Sequence, residues 1–407
     1  MTDTLTPTSP RAPSVPVLAM VTILAASSLT VMANATISPA LPQLRAAFAD
    51  TPGIETLSGL VVTLPSLFVV LTAAAIGVMA DRMDRRPLMV GAMLLYALGG
   101  ASGLVAQEIW QLLIGRAVLG LGVAGTMTLV SAYVSSLWIG RDRERFMGLQ
   151  MAAMNIGGIV FMIGGGVMAS FGWRTAFGVY LVALPLALLA FVTLRGLTRS
   201  APRPGPADAP KGPQPAFPWK AYAVLGSLAL LAMATMYILP TRLPFVLAEL
   251  GVTNSTHLGL ALSMMTVASL PGAVMFGKIR RIISPRVIIV VSFSGMALSL
   301  VVISQATSPW MAVAGVLIMG ASMGPAMPNF MAYFMEFVPP MYRGRAAGLM
   351  TMGFFGGQFL SPLISAPLAH AFGQQGGFLA MAMLPLAVAI VAACVMVLTP
   401  RPVPAYA

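Results

Sequence analysis

Charged residues are scarce in this chain. Only 8% of its 407 residues are Asp, Glu, Lys or Arg, and 58% are hydrophobic. A typical soluble domain has about 25% charged and about 45–50% apolar residues. This small number of charges cannot cover the surface of a soluble protein of this length. Most of the surface must therefore face lipid. The net charge of +12 does not indicate a nucleic-acid partner, because the basic residues lie in short loops between apolar runs.

Cysteine and histidine are nearly absent as well. Cys394 is the single cysteine, and His257 and His370 are the two histidines. This excludes an intramolecular disulfide and a Cys/His metal site. The sequence also contains no catalytic cluster, no phosphate-binding motif in a suitable context and no signalling domain. We therefore predict neither an enzyme nor a membrane sensor, and no cofactor.

Twelve apolar runs are long enough to cross the membrane as helices, which takes about 20 residues each. They cover residues 17–38, 57–79, 87–106, 109–133, 147–169, 173–194, 219–241, 256–276, 286–305, 309–333, 345–369 and 377–399. Seven prolines fall between Pro202 and Pro218, which is too many for a helix. The predicted organisation is a disordered tail (1–16), a six-helix bundle (17–194), a Pro-rich linker (195–218), a second six-helix bundle (219–399) and a short tail (400–407).

The basic residues predict the orientation. Nineteen of the 23 Lys and Arg residues fall in the tails, the linker and alternate loops, whereas only Arg45, Arg174 and Arg242 fall in the other loops. Cytoplasmic loops carry the excess of positive charge. We therefore predict a multi-pass protein of a bacterial inner membrane, with the linker and both termini in the cytoplasm.

The two predicted bundles are related by a shift of 200 residues. Trp110 matches Trp310 and Tyr133 matches Tyr333 in this register. The other matches are loop arginines and span glycines: Gly77 with Gly277, Arg86 with Arg286, Gly115 and Gly120 with Gly315 and Gly320, Arg143 and Arg145 with Arg343 and Arg345, and Gly148-Leu149 with Gly348-Leu349. Two halves of the same orientation imply a pseudo-twofold axis along the membrane normal and a cavity whose access alternates as the halves rock.

Three segments resemble the major facilitator superfamily. They are the loop Gly77-Val-Met-Ala-Asp81-Arg82-Met-Asp84-Arg85-Arg86, the fourth-span segment from Arg116 to Gly125, and the glycine-rich fifth span ending at Gly172-Trp173-Arg174. The chain departs from the family pattern at Asp84, where Gly is usual, and at Gly164-Gly165-Gly166, where a Gly-Pro pair is usual. The resemblance covers essentially the whole chain. It implies an all-α membrane protein, with twelve transmembrane helices in two six-helix pseudo-symmetric halves around a central cavity, and a monomer.

The resemblance also implies a gate. We expect Asp81, Arg82, Arg85 and Arg86 to hold the cytoplasmic side closed in the outward-facing state, since an acid at a helix end can pair with loop arginines. The alternative is a plain positive-inside loop.

Arg116 is the leading candidate for substrate binding or coupling. It lies six residues into the fourth span, about 9 Å along a helix. A charge inside the membrane is costly and usually faces a cavity or a partner. Among the eleven acidic residues none lies deep in a span, so Arg116 has no evident partner and would suit an anionic substrate group. The alternative is a structural arginine bonded to backbone carbonyls.

Other polar residues inside the spans are further candidates for substrate binding: Asn34, Asn155, Tyr237, Asn329 and Gln358. By resemblance, spans one, four, seven and ten line the cavity, which favours Asn34, Tyr237 and Asn329. Hydrogen bonding between helices is the alternative for each. His370 and Glu336 are the candidate proton carriers, because they lie at the ends of spans and His titrates near neutrality.

These features predict a secondary active transporter that works by alternating access. The leading hypothesis is ion-linked efflux of small amphipathic or hydrophobic compounds, resembling drug/proton antiporters, with protons as the candidate coupling ion. The alternative is an organic-anion or carboxylate transporter in which Arg116 is the substrate's counter-charge. The expected partners are the substrate and the lipid bilayer, not nucleic acid.

Overall fold

The computed structural model describes residues 15–197 and 215–398, apart from the side chains of residues 34 and 35. Most of the predicted N-terminal tail (residues 1–14), the predicted C-terminal tail and most of the predicted linker lie outside these ranges. The N-terminal half contains α1 (Val17–Ala35), α2 (Leu41–Ala47), α3 (Ile54–Arg82), α4 (Arg85–Ala101), α5 (Ile109–Leu137), α6 (Gly140–Ala169) and α7 (Ala183–Thr193). A 3₁₀ segment, Thr175–Val182, precedes α7 and forms the first part of the sixth span.

The C-terminal half repeats this arrangement. It contains α8 (Trp219–Met236), α9 (Ile238–Glu249), α10 (Ser255–Val274), α11 (Phe276–Ile282), α12 (Pro285–Ser304), α13 (Pro309–Met335) and α14 (Arg343–Leu398). Within the described residues, eleven helical segments are long and apolar enough to cross a membrane. The last of them holds two spans, because Gly373 breaks α14 with a φ of 74° and a ψ of 172°. The twelve-span prediction is confirmed.

Capping residues explain several helix starts. Asp84 accepts a hydrogen bond from the Arg86 N–H at 3.0 Å and caps α4. Ser284, 200 residues later, accepts from the Val287 N–H at 3.5 Å and caps α12, with Pro285 at its first position. An oxygen at this position satisfies one of the free N–H groups of the first turn. The departure from the family pattern at Asp84 therefore has a local structural reason.

Small residues allow the helices of each half to approach closely. A Cβ on Gly122 would lie 2.4 Å from the Tyr96 nitrogen, and one on Gly99 would lie 2.4 Å from the Leu119 nitrogen. In the other half, the Ser299 hydroxyl donates to the Gly315 carbonyl at 2.7 Å. Close backbone packing and interhelical hydrogen bonds take the place of the hydrophobic effect between helices in lipid.

The two halves meet along two helix pairs, α3 with the first part of α14 and α6 with α10. These pairs join the second span to the eleventh and the fifth to the eighth. In the repeat the second span is equivalent to the eighth and the fifth to the eleventh, so the two interfaces are equivalent to each other. We call the side carrying the Arg82–Arg86 loop the basic end, and the opposite side the distal end. On this definition α3 and α10 begin at the distal end, and α6 and α14 begin at the basic end.

Candidate functional site

The α3–α14 interface is tightest near the distal end. A Cβ on Gly59 would lie 2.6 Å from the Pro362 Cβ. About two turns further along α3, the Ser66 hydroxyl donates to Gln358 Oε1 at 2.8 Å, and both residues are buried. Gln358, a predicted substrate-binding residue, thus lies at the junction of the halves and joins them.

The α6–α10 interface is also closed at its distal part. A Cβ on Gly166 would lie 2.6 Å from the Ser255 carbonyl oxygen, and one on Gly259 would lie 2.7 Å from the Met162 carbonyl oxygen. The Gln43 amide adds two hydrogen bonds here, to the Ala169 carbonyl at 3.1 Å and to the Ser255 hydroxyl at 3.0 Å. The second of these bonds joins one half to the other.

Three charged residues and one aromatic residue complete the closure of the distal end. We call Arg45, Glu55, Arg242 and Phe245 the distal cluster. Arg45 forms an ion pair with Glu55 and lies over the Phe245 ring. Arg242 is only 2% exposed and donates to the Glu55 carbonyl at 3.4 Å. Its Nε and Nη1 atoms have no partner among the described residues. The cluster therefore crosses between the halves and encloses a guanidinium.

The sequence did not predict the distal cluster. Its members count as loop residues by hydropathy, and the burial of Arg242 results from the contact of α9 with α2 and α3. The repeat offered one indication of this cluster, because residues 45 and 245 occupy equivalent positions in the two halves. In the structure these two residues contact each other across the pseudo-twofold axis.

The basic end is more open. Asp81 and Arg82 are exposed, and a Cβ on Gly148, Gly277 or Gly348 would meet nothing within 4 Å. This contrasts with the enclosed glycines of the distal interfaces.

Two residues of the predicted gate bind inside the N-terminal half. Arg85 donates to the Ala132 carbonyl at 3.2 Å and to the Ser136 hydroxyl at 3.1 Å. Arg86 donates through Nε to the Phe191 carbonyl at 2.7 Å. These bonds tie α4 to the ends of α5 and α7. In this conformation both arginines therefore stabilise one half.

An equivalent contact occurs in the C-terminal half. Arg280 forms an ion pair with Glu336 and donates to Asn329 Oδ1 at 3.1 Å. The Asn329 amide in turn donates to the Pro285 carbonyl at 3.1 Å. Ser136 and Glu336 are equivalent in the repeat. Each half therefore has an arginine bound at this position, Arg85 at Ser136 and Arg280 at Glu336. Asn329 is thus fully buried inside its own half, and does not line the cavity as the resemblance implies. Glu336 has Arg280 as its partner, which the sequence did not predict.

Arg116 also lies inside one half. Its side chain is 0% exposed. Nε donates to the Val61 carbonyl at 2.6 Å, and Nη2 donates to the Ala33 carbonyl at 3.3 Å and to the Tyr180 hydroxyl at 2.8 Å. Its guanidinium carbon lies 4.9 Å from the centre of the Tyr180 ring. These bonds hold the charge among α1, α3 and the sixth span, which is the arrangement expected for the alternative of a structural arginine.

The remaining candidates lie on different helices. Asn34 belongs to α1, but its side chain lies outside the described residues. Tyr237 is mostly buried at the junction of α8 and α9. Asn155 donates to the Met151 carbonyl of its own helix at 2.9 Å. His370 is exposed, three residues before the break at Gly373. Among the described side chains, Arg116 and Asn329 thus lie inside opposite halves.

The segments of the chain that match a known family cover both halves. Residues 23–253 and 225–406 match the profile of the Major Facilitator Superfamily. The chain belongs to this superfamily. It is 26% identical over 341 residues to the class C tetracycline resistance protein of Escherichia coli, covering 81% of this chain and 84% of that protein. It is 23% identical over 339 residues to the inner membrane transport protein YajR of Escherichia coli strain K12, covering 81% and 73%.

A solved structure shares the whole fold. It is the crystal structure of a bacterial homologue of the human lysosomal transporter Spinster, in an inward-facing and occupied conformation. The TM-score is 0.79 with 15% sequence identity, and the match covers 95% of this chain and 98% of that chain. The superfamily membership and this fold identify the chain as a multi-pass membrane transporter of small molecules.

Proposed function

We propose that this transporter exports small amphipathic or hydrophobic compounds in exchange for an ion, with protons as the coupling ion. The observation that carries the proposal is the similarity to a tetracycline resistance protein over 81% of this chain. That relative supports efflux, while the substrate of this chain is inferred from its own residues.

The neutral character of the region between the halves supports an amphipathic substrate. The polar contacts that join the halves in mid-span come from uncharged groups, such as Ser66 and Gln358. Arg116, the charge inside the membrane, binds inside the N-terminal half, and the Arg280–Glu336 pair at the span ends binds inside the C-terminal half. A largely apolar path with a few neutral hydrogen-bonding groups suits compounds that are mostly apolar.

The alternative of an organic-anion transporter loses its main support. It required Arg116 as the counter-charge for an anion, but three hydrogen bonds hold the guanidinium inside the N-terminal half. We propose instead that Arg116 has a structural role.

We further propose that the structure represents an inward-open state. The basic end would face the cytoplasm, as the excess of arginines in its loops favours. The distal cluster and the two distal interfaces would then form the closed outer gate. The exposed Asp81 and Arg82 would belong to an inner gate that closes in the other half of the cycle.

The test is transport by the purified protein in liposomes with an imposed pH gradient. A panel of lipophilic cations is compared with a panel of organic anions of similar size. We expect the cations to move against the proton flux, and their transport to stop when an ionophore collapses the gradient. Transport of the anions alone would overturn the proposal, and gradient-independent transport would overturn its coupling part.

A further inference from the structure

An apolar crevice of about 450 Å³ opens on the membrane-facing side of the C-terminal half, near the basic end. It lies between α8, α12 and the last part of α14. Its walls are mainly aliphatic, and they include Val224, Leu228, Ile289, Val388 and Val391. Val224 and Val391 are each 61% exposed, so the crevice is open to the acyl chains of the bilayer.

The internal repeat explains why the crevice exists. At the equivalent place in the N-terminal half, the Phe191 ring lies 4.0 Å from the guanidinium carbon of Arg86. The residues equivalent to Phe191 and Arg86 are Val391 and Arg286. The arginine is therefore kept in the C-terminal half, while the aromatic ring that covers it in the N-terminal half is replaced by a small side chain.

A second contact that closes the N-terminal half is also missing. The hydroxyls of Thr22 and Thr193 lie 3.0 Å apart and join α1 to α7. Their counterparts are Tyr222 and Ala393, and the Tyr222 hydroxyl donates instead to the Leu349 carbonyl at 3.3 Å. Helix α8 thus lacks this link to the last part of α14, beside the crevice.

Positive charge borders the crevice at the basic end. Arg286 lies in the first turn of α12 and forms part of the wall. Lys220 is exposed in the first turn of α8, four residues before Val224, and residues four apart share a helix face. Basic pockets between membrane helices at the end of the spans are suited to anionic lipid head groups.

We propose that this crevice binds one acyl chain of an anionic phospholipid, whose phosphate is held by Arg286 and Lys220. The chain takes the place that Phe191 fills in the other half. The two basic side chains select the anionic head group, while burial of the acyl chain provides most of the affinity, about fourfold for each buried methylene.

Native mass spectrometry of the full-length protein in detergent tests the proposal. Phosphatidylglycerol and phosphatidylethanolamine with identical acyl chains are titrated separately. We expect one tightly bound phosphatidylglycerol on the unmodified protein. Val391→Phe refills the crevice and should weaken this binding about tenfold or more, since several methylenes lose their contacts. Ile390→Phe is the matched control, because Ile390 is 56% exposed and is not part of the crevice wall.

The head group is tested separately. Arg286→Gln should weaken phosphatidylglycerol binding about fivefold, the factor expected for one basic residue, and weaken phosphatidylethanolamine binding less, because the ammonium group of that lipid offsets its phosphate charge. Val224→Phe fills the crevice from the α8 side and gives an independent variant if Val391→Phe does not fold. Equal binding by the two phenylalanine variants at 390 and 391, or an equal loss of both lipids in Arg286→Gln, would overturn the proposal.

Discussion

The guanidinium carbon of Arg45 lies 5.3 Å from the centre of the Phe245 ring. These two residues are 200 positions apart and therefore equivalent in the internal repeat. A contact between equivalent positions lies at the pseudo-twofold axis, where the halves must separate if the distal end opens. The Glu55 and Arg242 side chains surround this contact. The distal cluster is thus placed to control opening at this end.

Removing the Arg242 charge should favour opening of the distal end. Arg242→Gln loses the hydrogen bond to the Glu55 carbonyl, which joins the halves, and the attraction between the guanidinium and the Glu55 carboxylate. Leu41, which is 0% exposed and packs against Phe245, reports on opening when it is replaced by Cys in a Cys394→Ser background. We expect a membrane-impermeant maleimide to label Cys at position 41 about tenfold faster, as for a loss of about 1.4 kcal/mol.

Arg174→Gln is the control for this experiment. Arg174 also carries a charge at the distal end, but it donates to the Ala106 carbonyl within its own half at 2.9 Å. Labelling at position 41 should be unchanged in this variant. Equal rates in the Arg242 and Arg174 variants would mean that the distal cluster does not hold the halves together.

The glycine triplet of α6 offers a comparison of neighbouring positions. A Cβ on Gly166 would lie 2.6 Å from the Ser255 carbonyl oxygen of the other half, while one on Gly164 would meet nothing within 4 Å. Gly166→Ala should therefore destabilise the distal-closed state by about 1–3 kcal/mol and slow transport. Gly164→Ala should transport at the normal rate. The measurement is the transport rate of each variant in liposomes, corrected for the amount of folded protein. Equal rates would contradict the claim that Gly166 packs against the other half.

Arg116 should contribute to folding rather than to the choice of substrate. Arg116→Gln leaves the Val61 and Ala33 carbonyls without their charged donor, and hydrogen bonds to charged groups contribute about 1.5–3 kcal/mol each. We expect a lower unfolding temperature, with Tyr180→Phe causing a smaller decrease. Transport of cations and anions should fall in parallel. A selective loss of anion transport with unchanged stability would restore the alternative of a substrate-binding arginine.

The proposed proton coupling makes a prediction for Glu336. If its carboxylate carries the proton and releases Arg280 on protonation, Glu336→Gln should abolish accumulation driven by a pH gradient but retain exchange of substrate across the membrane. His370→Gln should keep both activities, because His370 is exposed at a helix end. Measuring both activities on each variant separates coupling from binding. Normal gradient-driven accumulation in the Glu336 variant would exclude this carboxylate as the carrier.

Much of the architecture could be predicted because the bilayer imposes it. A span needs about 20 apolar residues, and the 200-residue shift relates the two halves from the sequence alone. The prediction of twelve spans in two halves is confirmed. One detail was not predictable from hydropathy: the sixth span begins as the 3₁₀ segment Thr175–Val182.

The candidate site was harder to predict for a physical reason. A span that is apolar on all sides gives no period from which its inner face can be read. Arg116 and Asn329 were correctly expected to avoid lipid, but the sequence did not distinguish the interior of one half from the space between halves. That distinction depends on which carbonyls and side chains the neighbouring helices bring near, such as Tyr180 for Arg116 and Arg280 for Asn329.

The central claim is that the halves separate at the distal end during every transport cycle. A cross-link between Gly59 and Pro362 tests it, because a Cβ on Gly59 would lie 2.6 Å from the Pro362 Cβ, and a shift of about 1 Å between the helices brings the two Cβ atoms to the roughly 3.5–4.5 Å that a disulfide needs. The protein carries Gly59→Cys, Pro362→Cys and Cys394→Ser. The control places cysteines at Gly295 and Ser322 inside the C-terminal half, where a Cβ on Gly295 would lie 3.1 Å from the Ser322 Cβ.

The measurement is substrate transport in liposomes before and after oxidation, with disulfide formation verified by mass spectrometry. We expect oxidation to stop transport by the 59–362 variant, a reductant to restore it, and the 295–322 variant to transport in both states. Undiminished transport by the fully cross-linked 59–362 variant would contradict alternating access through this interface.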